Sequence, residues 1–313
     1  MARLTTPEAE ALLDQQIPVL DQGFVRLVDY MGGDASIVQA ARVSYGPGTR
    51  TVREDRNLIN YLMRHRHTTP FEMVELKFHV KLPIFVARQW IRHRTANVNE
   101  QSLRYSVMPD EFYVPPDAAI GLQSKSNRQG RSTDDVPEKL RRHVIDLLKA
   151  VPESTYPIYQ ELLEAGIARE LARICLPVSA YTEWYWKIDL HNLFHFLSLR
   201  ADPHAQQEIR AYATALSECA RAVAPFAYAA FEEYTLHAVS LCGHEKKIVA
   251  KLARGEPALW SDFAFFDEPT HGEDGQVNKT LLSRRRELAD KLGLVIPVES
   301  GGDAIPVESR ELA

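Results

Sequence analysis

The stretch that decides the fold is residues 74 to 94, which read V-E-L-K-F-H-V-K-L-P-I-F-V-A-R-Q-W-I-R-H-R. Residues 74–80 alternate strictly between apolar and polar, and this period predicts a strand with one buried and one wet face. Pro83 is then well placed as the first residue of a helix, because its missing N–H costs nothing there. The stretch therefore predicts a strand that leads into a helix, with arginines at the far end of that helix.

The polar residues at this far end form the first candidate binding segment. Gln89, Arg92 and His93 lie three and four apart on one helical face, so they can address one ligand together. Arginines bind phosphates through charge-assisted bonds, and a mixed set of donors and acceptors suits the edge of a heterocycle. The segment thus favours a ligand with an anion and a base; the alternative is an arginine-rich solvated turn. Its further polar residues are Asn99, Glu100, Ser102 and Arg104.

The rest of the chain predicts an α+β fold, with a mixed or antiparallel sheet and long helices, rather than a doubly wound sheet. Strands are expected at 24–30 and 181–188. Helices are expected at 36–45 with Asp34 as the cap, at 52–66, up to about Leu163, between Gly166 and Pro177, at 190–199, from Pro203 to about Ala224, and at 279–292.

Two segments stand apart from this pattern. Residues 115–137 are polar and aperiodic, which is typical of a lid or a binding loop, and we expect this loop to cover a substrate. Residues 1–240 are predicted to form the catalytic domain. Residues 241–313 are predicted to form an extension with one helix and a flexible tail, in which I-P-V-E-S occurs at 296 and again at 305.

Composition limits the possible functions. The 313 residues carry a formal net charge of −5, so binding of a polyanion would need a local basic site. The three cysteines are an odd number without C-x-x-C spacing, which argues against a disulfide framework or structural zinc. We find neither a signal segment nor a run of about 18 apolar residues, and therefore expect a cytoplasmic protein with no membrane partner.

A second candidate segment is D-L-H-N-L-F-H-F-L-S-L-R-A-D-P-H at 189–204. Asp189 can cap the helix that follows it. His191 and His195 have metal-ligand spacing but lack the glutamate of H-E-x-x-H. Arg200 lies between two helices, where it could be aimed inward or could simply favour the helix dipole.

Further candidates come from two short segments. The sequence H-R-H-T-T-P-F-E-M at 65–73 has histidines, threonines and a carboxylate before a strand. Arg173 is either a ligand contact or the partner of Glu170 or Glu164. Cys175 is expected to be buried and inert. No G-x-G-x-x-G, P-loop or G-x-S-x-G sequence occurs.

Together these segments resemble the flavin-dependent thymidylate synthases. The family's pattern R-H-R-x-x-x-x-N-E-x-S-x-R-Y is matched from Arg92 to Tyr105. F-V-A-R-Q-W precedes it, H-x-T-P-F-E lies upstream, and L-R-A-D-x-H-A-Q lies downstream, all in the family's order. The similarity covers roughly residues 20–235.

The resemblance implies a homotetramer with FAD sites where subunits meet. Its substrates would be dUMP and methylenetetrahydrofolate, with NADPH as reductant, and its products dTMP and tetrahydrofolate. The family's flavin contacts would fall on His67, Thr69, Arg92, His93, Arg94, Glu100, Asp189, Leu190, His191 and His195. Its nucleotide contacts would fall on Gln89, Trp90, Ile91, Arg92, Glu100, Gln101, Ser102, Leu103, Arg104, Arg173 and Arg200. Asp189 and His195 stand where the family's best-known form has asparagine, and His191 where it has arginine.

The chemistry implied by this resemblance is electrostatic, because no cysteine looks activated. Arg200 would favour loss of the proton from ring nitrogen 3 of uracil, so that charge reaches C5. Ser102 would bind the substrate, and Arg104 and Arg173 would hold its phosphate. The rival hypotheses are a nucleic-acid-binding protein that uses Arg92 to Arg104, and a metalloenzyme with His191, His195 and His204 as ligands; we expect neither nucleic acid nor metal.

Overall fold

The computed structural model describes residues 4–43, 52–124, 130–132, 134–263, 278–293 and 305. The chain divides into two compact units, Met1–His237 and Ala238–Ala313. The predicted boundary at residue 240 lies beside this division, and the catalytic role of the first part stays a prediction. Several predicted features lie outside the described residues: the G-P-G break at 46–48, residues 125–129 and 133 of the binding loop, and the tail after 293 apart from Ile305.

An antiparallel sheet organises the described part of the first unit, and this confirms the predicted α+β class. Its spatial order is β1-β2-β3-β5-β4. The strands are β1 (Gln16–Val19), β2 (Gly23–Met31), β3 (Glu75–Pro83), β4 (Asn97–Glu100) and β5 (Tyr181–Asp189).

The alternation in β3 and β5 gives the sheet one dry face. Phe78 pairs with Trp186 across the two strands, and both side chains are buried. On the opposite face, His79 pairs with Tyr185, and their rings stack with centroids 4.9 Å apart. The predicted strand with one wet face is therefore confirmed, and the dry face forms the main core.

Helices cover the dry face and flank the sheet. Tyr212 donates a hydrogen bond to the main-chain oxygen of Lys81 at 2.8 Å, which joins a helix directly to β3. The helices of the first unit are α1 (Pro7–Leu12), α2 (Asp34–Arg42), α3 (Val52–Arg64), α4 (Ile84–Trp90), α5 (Glu138–Glu164), α6 (Arg169–Ala172), α7 (Leu190–Arg200), α8 (Gln207–Val223) and α9 (Pro225–Phe231). No described helix is long and apolar enough to cross a membrane.

Three predicted helix boundaries are wrong. Pro83 closes β3, where it pairs with Tyr181, so α4 begins at Ile84. Helix α8 begins at Gln207 instead of Pro203, because the Asp202 carboxylate accepts a hydrogen bond from the His204 N–H at 2.7 Å and holds the chain in a turn. The single helix predicted between residues 166 and 177 is instead α6, followed by a 3₁₀ turn at Arg173–Cys175.

Some elements could not be found from the pattern. All residues of β4 are exposed, so it carries no apolar alternation, and only its pairing with β5 makes it a strand. Helix α9, which follows α8 after one residue and has Pro225 as its first residue, was not predicted.

The second unit has its own apolar cluster. It contains α10 (Gly243–Ala253), which was not predicted, and α11 (Lys279–Leu292), which was predicted and is closed by Gly293 in a left-handed conformation. Glu245 and Lys291 form an ion pair at 2.9 Å between these helices. The buried apolar residues are Ile248, Ala258, Trp260, Phe263, Leu281, Leu288 and Ile305.

Asp34 has a different role from the predicted one. It is the first residue of α2 and does not cap this helix by its side chain. Its carboxylate instead accepts hydrogen bonds from the N–H groups of Phe226 at 2.8 Å and Ala227 at 2.9 Å, at the start of α9. Burial raises the pKa of Asp34, and these two bonds oppose the rise. A cap supplied from another helix therefore fixes α9 against α2.

We expect Asp34→Ala to lower the free energy of unfolding by about 1–2 kcal/mol, because two helical N–H groups lose their acceptor. Chemical denaturation with urea measures the change. Asp34→Asn should lose less, since it keeps one acceptor oxygen. Gln39→Ala, an exposed change on the same helix, is the control; equal losses in Asp34→Ala and Gln39→Ala would contradict the capping role.

Candidate active site

Trp90 anchors the C-terminal end of α4 in the core. Its ring contacts Trp186 edge-on with centroids 5.0 Å apart, and it lies 4.9 Å from Phe196 of α7. The main chain then continues in a turn, in which the His93 N–H donates to the Trp90 oxygen at 3.0 Å. The buried tryptophan thus places Gln89, Arg92 and His93 on the outer side of this turn.

Arg200 and His93 meet although 107 positions separate them in the chain. The Nε of Arg200 donates a hydrogen bond to Nε2 of His93 at 3.0 Å. Burial, together with the neighbouring Arg200 and His195, lowers the pKa of His93 from 6.5 to about 4. His93 is therefore neutral at pH 7, with Nε2 as an acceptor.

The rest of the Arg200 guanidinium is available for a ligand. Its terminal nitrogens bond to no residue of the described part of the chain, and no carboxylate there pairs with it. Burial lowers the pKa of Arg200. A half-buried cation without a counterion is an unfavourable arrangement that an anionic ligand would relieve. Of the two alternatives for Arg200, the contact with His93 agrees with a side chain aimed inward.

The residues after β4 form a tight turn. Ser102 Oγ accepts a hydrogen bond from the Arg104 N–H at 3.3 Å, and the Ser102 oxygen accepts from the Tyr105 N–H at 3.0 Å. Arg104 pairs with Glu170 of α6 at 2.9 Å, both side chains being more than half exposed. Leu103 packs against the apolar cluster around Tyr159 and so holds the turn in place.

Arg173 lies one helical turn after Glu170, on the 3₁₀ turn that follows α6. The predicted alternative, a pair with Glu170 or Glu164, is not formed: Glu170 pairs with Arg104. Within the described residues Arg173 has no ion pair. Arg104 is therefore paired only at the surface, and Arg173, three residues after the partner of Arg104, is unpaired within the described residues.

Glu100 and Gln101 border a cavity of about 320 Å³ on the wet side of the sheet. The Glu100 carboxylate accepts a hydrogen bond from Thr182 Oγ at 2.8 Å. Sequence reasoning missed the other polar residues of this cavity, His79 and Glu183, which bond to each other at 2.8 Å. In the sequence, only the alternation of each strand indicates that these two residues face the wet side. The pairing of β3 with β5 is what brings the two side chains together.

His67 and Thr69 lie in a second, larger cavity of about 1120 Å³. His67 stacks on Tyr61 with centroids 5.9 Å apart. The remaining wall is largely apolar and includes Met31 and Met73.

The residues of the second candidate segment take different positions. Asp189 caps α7, as predicted: it accepts hydrogen bonds from the Asn192 N–H at 2.9 Å and from Asn192 Nδ2 at 2.6 Å. His191 is half-buried and His195 is exposed near His93, with centroids 6.0 Å apart. The side chains of Leu190 and Trp90 are buried in the core, so only their main chain remains for a ligand; Ile91 also packs against the core.

Cys219 is buried and Cys175 is half-buried, whereas Cys242 of the second unit is exposed. Burial raises the pKa of Cys219 to about 12, so this thiol is not a thiolate at neutral pH. Cys175 is half-buried instead of buried, and its thiol donates to the Ala172 oxygen at 3.2 Å. The described residues contain no group of three His, Cys, Asp or Glu that could hold a metal. His204, one of the three histidines of the metalloenzyme hypothesis, pairs with Asp202 at 2.9 Å.

Comparison with known proteins decides between the hypotheses. The model of the family described as thymidylate synthase complementing protein matches residues 26–226. The chain is 52% identical over 269 residues to the flavin-dependent thymidylate synthase of Rickettsia prowazekii (strain Madrid E), covering 82% of this chain and 92% of the relative. The chain belongs to the flavin-dependent thymidylate synthases.

Other members and a solved structure agree. The flavin-dependent thymidylate synthase of Treponema denticola is 57% identical over 244 residues, covering 78% of this chain and 92% of the relative. The UMP/dUMP methylase PolB from Streptomyces cacaoi, solved with 5-Br dUMP, superposes with a TM-score of 0.63 at 35% identity, covering 70% of this chain and 99% of that chain. The match to the family model ends at residue 226, so residues 238–313, which form the second unit, lie beyond it.

The burial of His93, together with its contact with Arg200, makes stability depend on pH. Between about pH 4 and 6.5 the unfolded chain binds a proton that folded His93 excludes, so the folded state loses stability as the pH falls. We expect the free energy of unfolding to drop over this range by about 1–2 kcal/mol more in the wild type than in His93→Gln, allowing for partial exposure of the ring. Urea denaturation at pH 4.5 and 7 measures it; identical pH dependence in both proteins would contradict the assignment.

Proposed function

We propose that this thymidylate synthase methylates dUMP to dTMP by electrostatic activation, with Arg200 as the catalytic cation. The observation that carries the proposal is the half-buried guanidinium of Arg200, which is held by neutral His93 and lacks a carboxylate partner within the described residues. The likeness to PolB, solved with a dUMP analogue, supports dUMP as the substrate.

The activation follows from the charge of Arg200. Uracil C5 is a weak nucleophile until the ring carries negative charge. An arginine at the pyrimidine edge stabilises the anion that forms when nitrogen 3 loses its proton, and this charge delocalises toward C5. A fixed donor in a preorganised site contributes roughly 3–4 kcal/mol of transition-state stabilisation. Cys219 is fully buried and Cys175 is bonded to main-chain oxygens, so neither of these two thiols is placed to attack the ring.

Arg104 and Arg173 are suited to the phosphate of the nucleotide. A phosphate monoester carries about −1.5 to −2 charges at pH 7, which can displace the exposed ion pair between Arg104 and Glu170 at little cost. Ser102 lies in the same turn as Arg104, and within the described residues no histidine bonds to its hydroxyl. Ser102 therefore serves as a binding hydroxyl and not as a nucleophile.

The described residues fit FAD as the flavin. The cavity of about 1120 Å³ is large enough for a cofactor of this class, and it offers an apolar wall together with His67 and Thr69. Arg92 and Arg94 are exposed cations that have no ion pair within the described residues, as a pyrophosphate site requires. When bound, the flavin would supply the hydride, with NADPH as reductant and methylenetetrahydrofolate as the one-carbon donor.

Asp189, His191 and His195 are the least favourable part of this flavin site. The Asp189 carboxylate is already used as the cap of α7, so it offers little hydrogen-bonding capacity to a ligand. His191 and His195 retain ring nitrogens for this purpose. Both can donate to a phosphate or a ring carbonyl, though with less charge than an arginine would bring.

Arg200→Ala should keep bound FAD and lower the rate of dTMP formation by about 100-fold to 1000-fold, because the developing anion loses its donor. Flavin absorbance of the purified protein and dTMP formation with NADPH are the two measurements. Arg221→Ala, which removes an exposed arginine paired with Glu232, is the matched control. Wild-type turnover by Arg200→Ala would refute the catalytic assignment.

A homotetramer with shared FAD sites is supported by an apolar surface on α5, α6 and the segment that follows α6. The exposed fraction is 55% for Leu147 and 75% for Ile174, which is unusual for large aliphatic side chains in such numbers. This apolar surface comprises Leu140, Leu147, Leu148, Val151, Ile158, Leu171, Ile174 and Val178. Burial against other copies of the chain would remove it from water.

We expect light scattering to give a tetramer for the wild type, and a smaller species without flavin for the double variant Leu147→Asp with Leu171→Asp, because a buried carboxylate opposes association. Val239→Asp changes an exposed valine outside this surface and should remain a tetramer. A double variant that stays tetrameric and yellow would show that this surface is not the interface.

A further inference from the structure

The second unit contains an apolar pocket that holds one residue from the end of the chain. Ile305 is 4% exposed and packs in the apolar cluster of this unit. Its main-chain N–H donates a hydrogen bond to the Ala258 oxygen at 2.9 Å. Ile305 is thus fixed by its side chain and by its main chain. The other buried residues of this cluster, which we call the tail pocket, are Ile248, Ala258, Trp260, Phe263, Leu281 and Leu288.

The five residues that begin at Ile305 have an identical copy earlier in the chain. I-P-V-E-S occurs at 305–309 and, nine positions before, at 296–300. Of the two copies, Ile305 alone lies in the described part of the chain. In both copies a proline follows the isoleucine, and proline disfavours the helical conformation of the residue before it. Both isoleucines therefore favour an extended main chain, and each offers the same side chain and the same N–H to a pocket.

The first copy has the reach and the charge to enter the tail pocket. Leu292, at the end of α11, packs against the cluster that forms the pocket. Ile296 follows Leu292 by four residues, which span up to about 13–14 Å when extended. The guanidinium of Arg285 lies over Trp260, 4.8 Å from the centre of its ring, so the wall of the pocket carries a cation. This cation suits the glutamate that both copies carry three residues after the isoleucine.

We propose that the tail pocket is a binding site for an I-P-V-E-S segment, and that the copy at 296–300 is an alternative occupant to the copy at 305–309. Because the tail pocket holds one isoleucine at a time, one copy leaves when the other enters. The copy outside the pocket is then a ligand of the same chemistry for the tail pocket of a second chain. The second unit thereby recognises a short apolar segment with one acidic residue, independently of the chemistry of the first unit.

The test measures how tightly the full-length protein binds a fluorescein-labelled peptide of residues 302–310, G-D-A-I-P-V-E-S-R, by fluorescence anisotropy. Ile296→Asp and Ile305→Asp each remove one copy, because a carboxylate opposes burial in an apolar pocket. Removing one of two equivalent competitors doubles the fraction of open pockets, so each single variant should bind the peptide about twofold more tightly than the wild type. The double variant has no competitor left, and its affinity should exceed that of either single variant by about tenfold or more.

The matched control is the same peptide with aspartate in place of its isoleucine, which should not bind. A pocket that only the copy at 305–309 fits would give a different pattern. Ile305→Asp would then reach the affinity of the double variant by itself, and Ile296→Asp would leave the affinity unchanged. That pattern would overturn the inference, and so would a folded double variant that does not bind the peptide.

Limited digestion with trypsin shows whether the second unit of each variant is folded. Helices α10 and α11 contain several lysines and arginines, which become accessible to the protease when the unit opens. We expect both single variants to resist cleavage in these helices as the wild type does, because the remaining copy fills the pocket. Cleavage in the double variant alone would support the inference, since the two changes are then far from additive. Cleavage in either single variant would contradict it.

Discussion

The contact of Trp90 with Trp186 and Phe196 is the constraint on which the rest of the structure depends. These three rings belong to α4, β5 and α7, and their packing fixes three elements that are distant in sequence. Burying aromatic side chains of this size contributes several kcal/mol in total, so the arrangement is rigid. The functional side chains then follow from it: His93 comes three residues after Trp90, and Arg200 four residues after Phe196. Their meeting is a consequence of core packing.

The main electrostatic feature of the candidate site is positive charge without a counterion. Arg200 is half-buried beside a neutral histidine, and Arg173 has no ion pair within the described residues. Other charges of the first unit are paired in several places, as in Arg131 with Glu208 and Lys81 with Glu111. A half-buried cation without a counterion is unfavourable unless a ligand binds it, so Arg200 and Arg173 are each candidates for contact with an anionic ligand. The proposed mechanism uses such a cation to stabilise charge on the substrate ring.

Glu208 fixes the orientation of the amides around it. A carboxylate that only accepts forces each amide next to it into one orientation, and the effect passes from Gln206 to Gln89. The apolar core supports this, since burial makes a wrongly oriented amide costly. Charge in the interior therefore controls the hydrogen-bonding character of a group at the surface of the site.

The sequence by itself determined the local features of this protein. The alternation at 74–80 gave a strand, Asp189 gave a helix cap, and Gly293 closed α11, because each depends only on neighbouring residues. The arginine-rich pattern was sufficient to indicate the family, which the comparisons confirm. Tertiary structure alone decided the contacts between distant residues. Asp34 caps α9 instead of its own helix, the exposed β4 is a strand only beside β5, and Gln89 meets Gln206 across two helices. Such contacts depend on how the elements pack, and hydrogen-bonding side chains of one type have many equivalent partners until packing selects one.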